Sequence, residues 1–85
     1  LLGEPGTEIL CDARAHVYDW EGAGAAVLRG VQLRPVAARG AVIDADDVRA
    51  GLRVASRYAP RASALALENT HNGAGGAVSL PETLA

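Results

Sequence analysis

The feature that most constrains the fold is residues 63–67, Ser-Ala-Leu-Ala-Leu, in which apolar side chains occupy both alternating sets of positions. A strand with one face in water alternates apolar and polar residues, whereas a parallel strand that is covered on both faces is apolar throughout. The segment therefore predicts a buried strand of a parallel sheet, with helices on its faces.

The rest of the chain alternates strand and helix patterns. Residues 7–12 contain an apolar run and follow a Pro-Gly turn signal, which predicts the first strand. Residues 21–29 have a helical composition, and residues 31–36 form the next strand candidate. Pro35 places the end of that strand at the sheet margin, because proline cannot donate to the ladder. With a helix after Asp44, this order predicts an α/β fold with a partial parallel sheet and flanking helices.

The helix predicted after Asp44 is the clearest single element. Asp44 is the expected N-cap, and Ile43 and Val48 have the spacing of a hydrophobic staple. Pro60 is expected to end the helix, because proline breaks the ladder of hydrogen bonds. The predicted apolar face comprises Val48, Leu52 and Ala55, and the predicted solvated face comprises Arg49, Arg53 and Arg57.

Composition limits both the stability and the partners of the chain. Eighteen of the 85 residues are alanine, and phenylalanine and methionine are absent, so the core buries little area per residue. The net charge is −2, and no apolar run approaches the roughly 20 residues that cross a bilayer. We therefore expect no nucleic-acid partner and no membrane. Cys11 is the only cysteine, which predicts a cytoplasmic location because a lone thiol suits a reducing compartment.

The chain contains no lysine, because all eight of its basic residues are arginines. It starts at a leucine rather than at an initiator methionine, and residues 81–85 have the pattern of a first helical turn. The last two features predict a fragment of a longer protein. We expect the fragment to fold poorly in isolation, because a chain of this length is marginally stable and a cut-out sheet exposes strand edges.

Both histidines, His16 and His71, come directly after predicted strands, where ligands gather in open α/β sheets. Two interpretations remain open: a catalytic imidazole, or a histidine that only packs or lies at the surface. Glu21 and Glu68 are candidates for paired acid and base carboxylates, with solvated or capping roles as the alternative. No metal site is predicted, because neither an H-x-x-x-H nor a C-x-x-C pair is present.

Two segments carry a resemblance to a known family. Residues 16–21, His-Val-Tyr-Asp-Trp-Glu, precede Gly24, and residues 67–72, Leu-Glu-Asn-Thr-His-Asn, precede the Gly-Gly pair at 75–76. Together they resemble the pyridoxal-phosphate-dependent threonine aldolases, within the broader family of aromatic amino acid β-eliminating lyases. The resemblance extends along nearly the whole chain. It implies that residues 1–85 are a middle segment of the large domain of an aspartate-aminotransferase-like fold, incomplete at both ends.

The resemblance also implies a site and a reaction. His16 would lie against the pyridine ring of pyridoxal 5'-phosphate, His71 would reach the β-hydroxyl of an amino acid substrate, and Glu21 would order a histidine or a water. The complete protein would be a homo-oligomer that cleaves a β-hydroxy-α-amino acid of the threonine type to glycine and an aldehyde. The alternatives are a β-eliminating lyase that acts on an aromatic amino acid, and a non-catalytic remnant or interaction fragment.

Parts of the family's site lie outside these residues. The Schiff-base lysine, the acidic partner of the pyridine nitrogen and the phosphate-binding loop are not in this chain, which implies that the fragment alone is inactive. Two positions depart from the family pattern. Ala23 stands where the first of two glycines is common, and Gly73 stands where a larger residue, often arginine, is common.

Overall fold

The computed structural model describes residues 3–84, which form a sheet with short helices. The strands are β1 (Glu8–Asp12), β2 (Gln32–Val36) and β3 (Ala62–Ala66), and the helices are α1 (His16–Asp19), α2 (Gly24–Arg29), α3 (Ala45–Gly51) and α4 (Pro81–Leu84). A 3-10 turn spans Asn72–Ala74. All strands are parallel and lie in the order β2-β1-β3, which confirms the predicted α/β class. Within residues 3–84, no helix is long and apolar enough to cross a bilayer.

The strand that is buried along most of its length is β1, not β3. Leu10 in β1 packs with Val36 and Ile43 in the core, and Val48 of α3 lies against them. β3 forms one edge of the described sheet, and Leu65 is 40% exposed. The prediction that residues 63–67 are covered on both faces is therefore wrong for this chain, because no described helix packs extensively on β3 and every residue of β3 is half-buried or exposed.

Helix α3 begins as its sequence predicts. The carboxylate of Asp44 accepts hydrogen bonds from the backbone N–H groups of Asp46 and Asp47, and the Asp47 carboxylate accepts one from the N–H of Asp44. This reciprocal pair is a capping box. Arg39 donates to the Asp47 carboxylate at 2.6 Å, and this bond is the first cause of the lowered pKa of Asp47.

The same helix ends earlier than predicted. Its last residue is Gly51, and Leu52 is already extended. Gly51 packs so closely on Val36 that an added Cβ would lie 2.6 Å from Val36 Cγ2. Arg53 then leaves the helical path and donates to the Glu8 carboxylate at 2.6 Å. The predictions of a helix that reaches Pro60, and of a solvated arginine face, are therefore wrong.

Glu8 lies at the N-terminal end of β1 and is 0% exposed. Its Oε2 accepts hydrogen bonds from Arg53 Nη2 at 2.6 Å and from Gln32 Nε2 at 3.2 Å. The Nε of Arg34 lies 3.9 Å from its other oxygen. A buried carboxylate is costly without partners. The stability of the sheet at the N-terminal end of β1 therefore depends on these arginines.

Helix α2 begins three residues later than the predicted start. Ala23, directly before it, adopts the left-handed conformation with φ of 58°. This is the region where glycine is favoured over residues with a side chain. Gly30 ends α2 with φ of 65°, as a C-terminal stop should.

The single-turn helix α1 was not predicted, because its residues lack an apolar face of helical spacing.

Candidate functional site

The candidate site lies at the carboxyl ends of β1 and β3. These strands are neighbours in the sheet, so the segments that follow them meet at one edge. His16 comes four residues after β1 ends at Asp12, and His71 comes five residues after β3 ends at Ala66. The order β2-β1-β3 thus brings together two segments that are far apart in the sequence.

A cleft of about 350 Å³ opens between these segments. It is lined by Ala15, His16, Val17, Glu21, Ala66, Leu67, Glu68 and Asn69. His16 is exposed, and its ring centroid lies 6.3 Å from that of Trp20 with the planes tilted by 34°. Two of the three residues predicted for the site, His16 and Glu21, therefore share one cleft.

His71 lies outside the cleft lining and is 2% exposed. Its backbone pairs with Ala77 in an isolated bridge, with the His71 N–H donating to the Ala77 carbonyl at 2.8 Å. The ring lies between two carboxylates, with Nε2 at 3.4 Å from Asp12 Oδ2 and Nδ1 at 3.8 Å from Glu68 Oε2. Neither ring nitrogen makes a hydrogen bond to any described residue.

Glu68 is the acidic residue that joins the two segments. Its Oε2 accepts from the backbone N–H of His16 at 2.9 Å, and its Oε1 accepts from the backbone N–H of Asn72 at 3.1 Å. These two hydrogen bonds hold the pKa of the Glu68 carboxyl below its usual range. The carboxylate is therefore ionised at neutral pH, and the capping role left open by the sequence is the one observed.

Asp12, the last residue of β1, is buried beside His71. Arg14 donates to the Asp12 carboxylate through its backbone N–H at 2.8 Å, its Nε at 3.1 Å and its Nη2 at 3.1 Å. Burial raises the pKa of Asp12, but the Arg14 hydrogen bonds and charge outweigh burial and the pKa is lowered. Asp12 therefore presents a negative charge to the Nε2 side of His71.

Gly73 packs directly against this group. A Cβ built at Gly73 would lie 2.7 Å from the carbonyl oxygen of Arg14 and 3.3 Å from Cε1 of His71. Any side chain at this position would displace the Arg14 backbone. The glycine thus lets the loop after β3 close over His71.

Neither the cysteine nor a metal-binding cluster adds to the candidate site. The lone cysteine, Cys11, is buried in β1, and burial raises the pKa of its thiol, which keeps it protonated and weakly nucleophilic. Among residues 3–84, no group of three or more His, Cys, Asp and Glu side chains is arranged to hold a metal ion.

The sequence did not single out Asp12 and Arg14, and it left the role of Glu68 open. One feature of the sequence could have indicated a role for Asp12: it is an acidic residue at the end of a predicted strand, two positions before an arginine. No feature of the sequence indicated the contact between Glu68 and His16, because these residues are 52 positions apart.

Comparison with known proteins gives one family and two close relatives. The family model described as beta-eliminating lyase matches residues 1–85. The low-specificity L-threonine aldolases of Escherichia coli O157:H7 and of Escherichia coli strain K12 are each 38% identical to the chain over 71 residues. The match covers 82% of this chain and 21% of each relative. The chain thus spans about a fifth of the length of the relatives it matches.

Proposed function

The chain belongs to the beta-eliminating lyase family, and we propose that it is a middle segment of the large domain of a pyridoxal-phosphate-dependent lyase of the threonine aldolase type. The complete protein would cleave a β-hydroxy-α-amino acid to glycine and an aldehyde. The observation that carries this proposal is the pair of histidine-bearing segments at the carboxyl ends of neighbouring parallel strands. The similarity to two low-specificity L-threonine aldolases supports the substrate class.

The residues of the cleft fit one face of a cofactor site. His16 offers an exposed, flat imidazole in a cleft of about 350 Å³, which suits contact with an aromatic ring. The chain has no lysine, so the covalent link to the cofactor must come from outside these residues. When bound, pyridoxal phosphate supplies the electron sink for the charge that cleavage of Cα–Cβ leaves behind.

His71 is the proposed acceptor of the proton from the substrate's β-hydroxyl. Both of its ring nitrogens are buried and without a hydrogen bond among the described residues, so the nitrogen that carries no hydrogen is free to accept a proton. The carboxylates of Asp12 and Glu68 flank the ring at 3.4 Å and 3.8 Å and stabilise the positive charge that proton transfer creates. Glu21, in the cleft with His16, is proposed to order a histidine or a water.

The remaining features of the complete protein are also proposals. We propose a cytoplasmic homo-oligomer that takes a small amino acid as its substrate and binds neither nucleic acid nor membrane. The buried, lone cysteine is consistent with a reducing compartment. The net charge of −2 disfavours a polyanionic partner.

The test uses the complete protein and its reaction with threonine. His71→Asn is expected to lower glycine release by about 100-fold while leaving the absorbance spectrum of the bound cofactor intact. His16→Ala is expected to alter that spectrum, and the exposed-site variant Arg57→Ala should change neither. Full activity of His71→Asn would remove His71 from the mechanism. Release of pyruvate and ammonia from an aromatic amino acid, without glycine release from threonine, would favour the β-eliminating alternative.

A second test concerns the 85 residues by themselves. A covalent link needs a primary amine, and arginine side chains stay protonated, which leaves the N-terminus as the one reactive amine. The chain should therefore show no glycine release above the free-cofactor control. After borohydride reduction and digestion, mass spectrometry should find a pyridoxyl group at most on the N-terminus. An adduct on any internal residue, or glycine release, would contradict the fragment interpretation.

A further inference from the structure

One carboxylate connects the two histidine-bearing segments. Glu68 accepts the N–H of His16 at 2.9 Å and the N–H of Asn72 at 3.1 Å, one with each oxygen. His16 is the first residue of α1, and Asn72 is the first residue of the 3-10 turn. Donors at the start of a helical turn have no partner within that turn, and a side chain is one of the groups that can supply it.

The residues that usually supply such a partner do not do so here. Ala15 precedes α1 and makes no side-chain cap, and His71 precedes the 3-10 turn and makes none either. Glu68 serves both turns instead, from 52 residues away in one case and four in the other. The oxygen that caps α1 is also the one that lies 3.8 Å from Nδ1 of His71.

We infer that Glu68 is a positioning residue, whose carboxylate holds His16 and His71 in fixed relation and places a negative charge beside His71 when that imidazole takes a proton. This inference rests on the proposed function, because it assigns the proton transfer to His71. It adds a residue, Glu68, that the family resemblance did not assign to the site.

The charge of Glu68 is well placed to act in this way. Its side chain is 23% exposed, so the interaction with a neighbouring charge is screened less than at an open surface. The two backbone hydrogen bonds keep the carboxyl ionised. They also fix its orientation, so that no reorganisation is needed at the moment of proton transfer.

The decisive variant is Glu68→Gln, with Glu82→Gln as the matched control on the exposed helix α4. The glutamine keeps the length of the side chain but loses the charge, and its amide nitrogen cannot accept a hydrogen bond. One of the two N–H groups thus loses its acceptor. Glu82 is exposed in the first turn of α4, so its variant should behave as the parent protein.

Two reactions of the complete protein separate positioning from a simple loss of folded enzyme. Glu68→Gln should lower threonine cleavage by about 100-fold, the size of effect seen when a reacting group is misplaced by about 1 Å. Exchange of the α-hydrogen of glycine with deuterated solvent involves no β-hydroxyl and should fall by a clearly smaller factor. If the folded variant loses both reactions by the same factor, Glu68 does not act on His71 in particular and the inference is overturned.

Hydrogen–deuterium exchange gives a readout that needs no catalysis. Peptides covering residues 14–24 and 66–76 should both take up deuterium faster in Glu68→Gln and at the parental rate in Glu82→Gln. Unchanged uptake in both peptides would overturn the inference.

The remaining outcomes are also decisive. If the parent protein does not cleave threonine, the proposed function fails, and deuterium uptake alone decides whether Glu68 links the segments. If Glu68→Gln does not fold, Glu68→Asp replaces it. Aspartate keeps the charge but is too short to cap both turns, and one peptide should then be loosened while cleavage of threonine is partly retained. If Glu68→Asp takes up deuterium and cleaves threonine at the parental rates, the inference is refuted.

Discussion

The cluster around Glu8 allows a stability prediction with a magnitude. The Glu8 carboxylate is 0% exposed, and its shortest contact is the 2.6 Å hydrogen bond from Arg53. Removing one partner of a buried ion pair costs about 3–5 kcal/mol, because a charge is left without compensation. The side chain of Arg53 is 34% exposed, so water reaches the site, and Gln32 keeps its own bond to the carboxylate. We therefore expect Arg53→Met to cost about 3 kcal/mol, the lower end of that range.

Urea unfolding of the complete protein, followed by circular dichroism, measures this cost. The denaturant slope increases with protein size and reaches about 3 kcal/mol per molar or more in a large domain, so the midpoint should fall by about 1 M or less. The exposed-site control Arg57→Met should change stability by no more than about 0.5 kcal/mol. The double variant Glu8→Leu with Arg53→Met should recover most of the loss, because an apolar pair leaves no uncompensated charge. A cost for Arg53→Met below about 1 kcal/mol, or a double variant no better than the single one, would refute the reasoning.

Three further predictions concern local features, and each is measured by urea or thermal unfolding of the complete protein. Asp44→Ala should cost about 1–2 kcal/mol because two backbone donors lose their cap, whereas Asp44→Asn should retain most of the stability. Ala23→Gly should stabilise by about 0.5–1 kcal/mol, because relief of the left-handed strain exceeds the entropy cost of glycine; a lower melting temperature would contradict this. The pKa of Asp12 is lowered, so its stabilising contribution is complete above its ordinary pKa and is lost as the pH falls through the folded value. Asp12→Asn should therefore flatten the acid side of the stability profile, and an unchanged profile would exclude that contribution.

Features set by neighbouring residues were predictable from the sequence, and those set by distant ones were not. The Asp44 cap involves donors two and three positions away, and Gly30 ends α2 through its own backbone freedom. The end of α3 depends instead on the contact of Gly51 with Val36, and on the bond from Arg53 to a carboxylate 45 positions earlier. The local spacing of apolar residues does not report these distant contacts. It therefore predicted a helix that continues to Pro60.

The candidate site was predictable to the same extent. Placing His16 and His71 after strands required only strand patterns and the rule that ligands gather at strand ends. That the two strands are neighbours was not deducible from spacing, and neither was the Glu68 bridge. The burial of His71 also depends on tertiary packing, because Gly73 brings the following loop against Arg14.

The two ends of β1 show how the same chemistry serves different purposes. Each end carries a buried carboxylate paired with an arginine, Glu8 with Arg53 and Asp12 with Arg14. At the Glu8 end, Arg53 and Gln32 both donate to the carboxylate, which links β1 to β2 and to the segment after α3. At the Asp12 end the carboxylate also approaches His71, whose ring nitrogens are left without hydrogen bonds among the described residues. Unpartnered buried atoms occur at both ends, Glu8 Oε1 and Arg53 Nε at one and the two ring nitrogens of His71 at the other. What distinguishes the Asp12 end is an imidazole held between two carboxylates, the arrangement on which the proposed proton transfer depends.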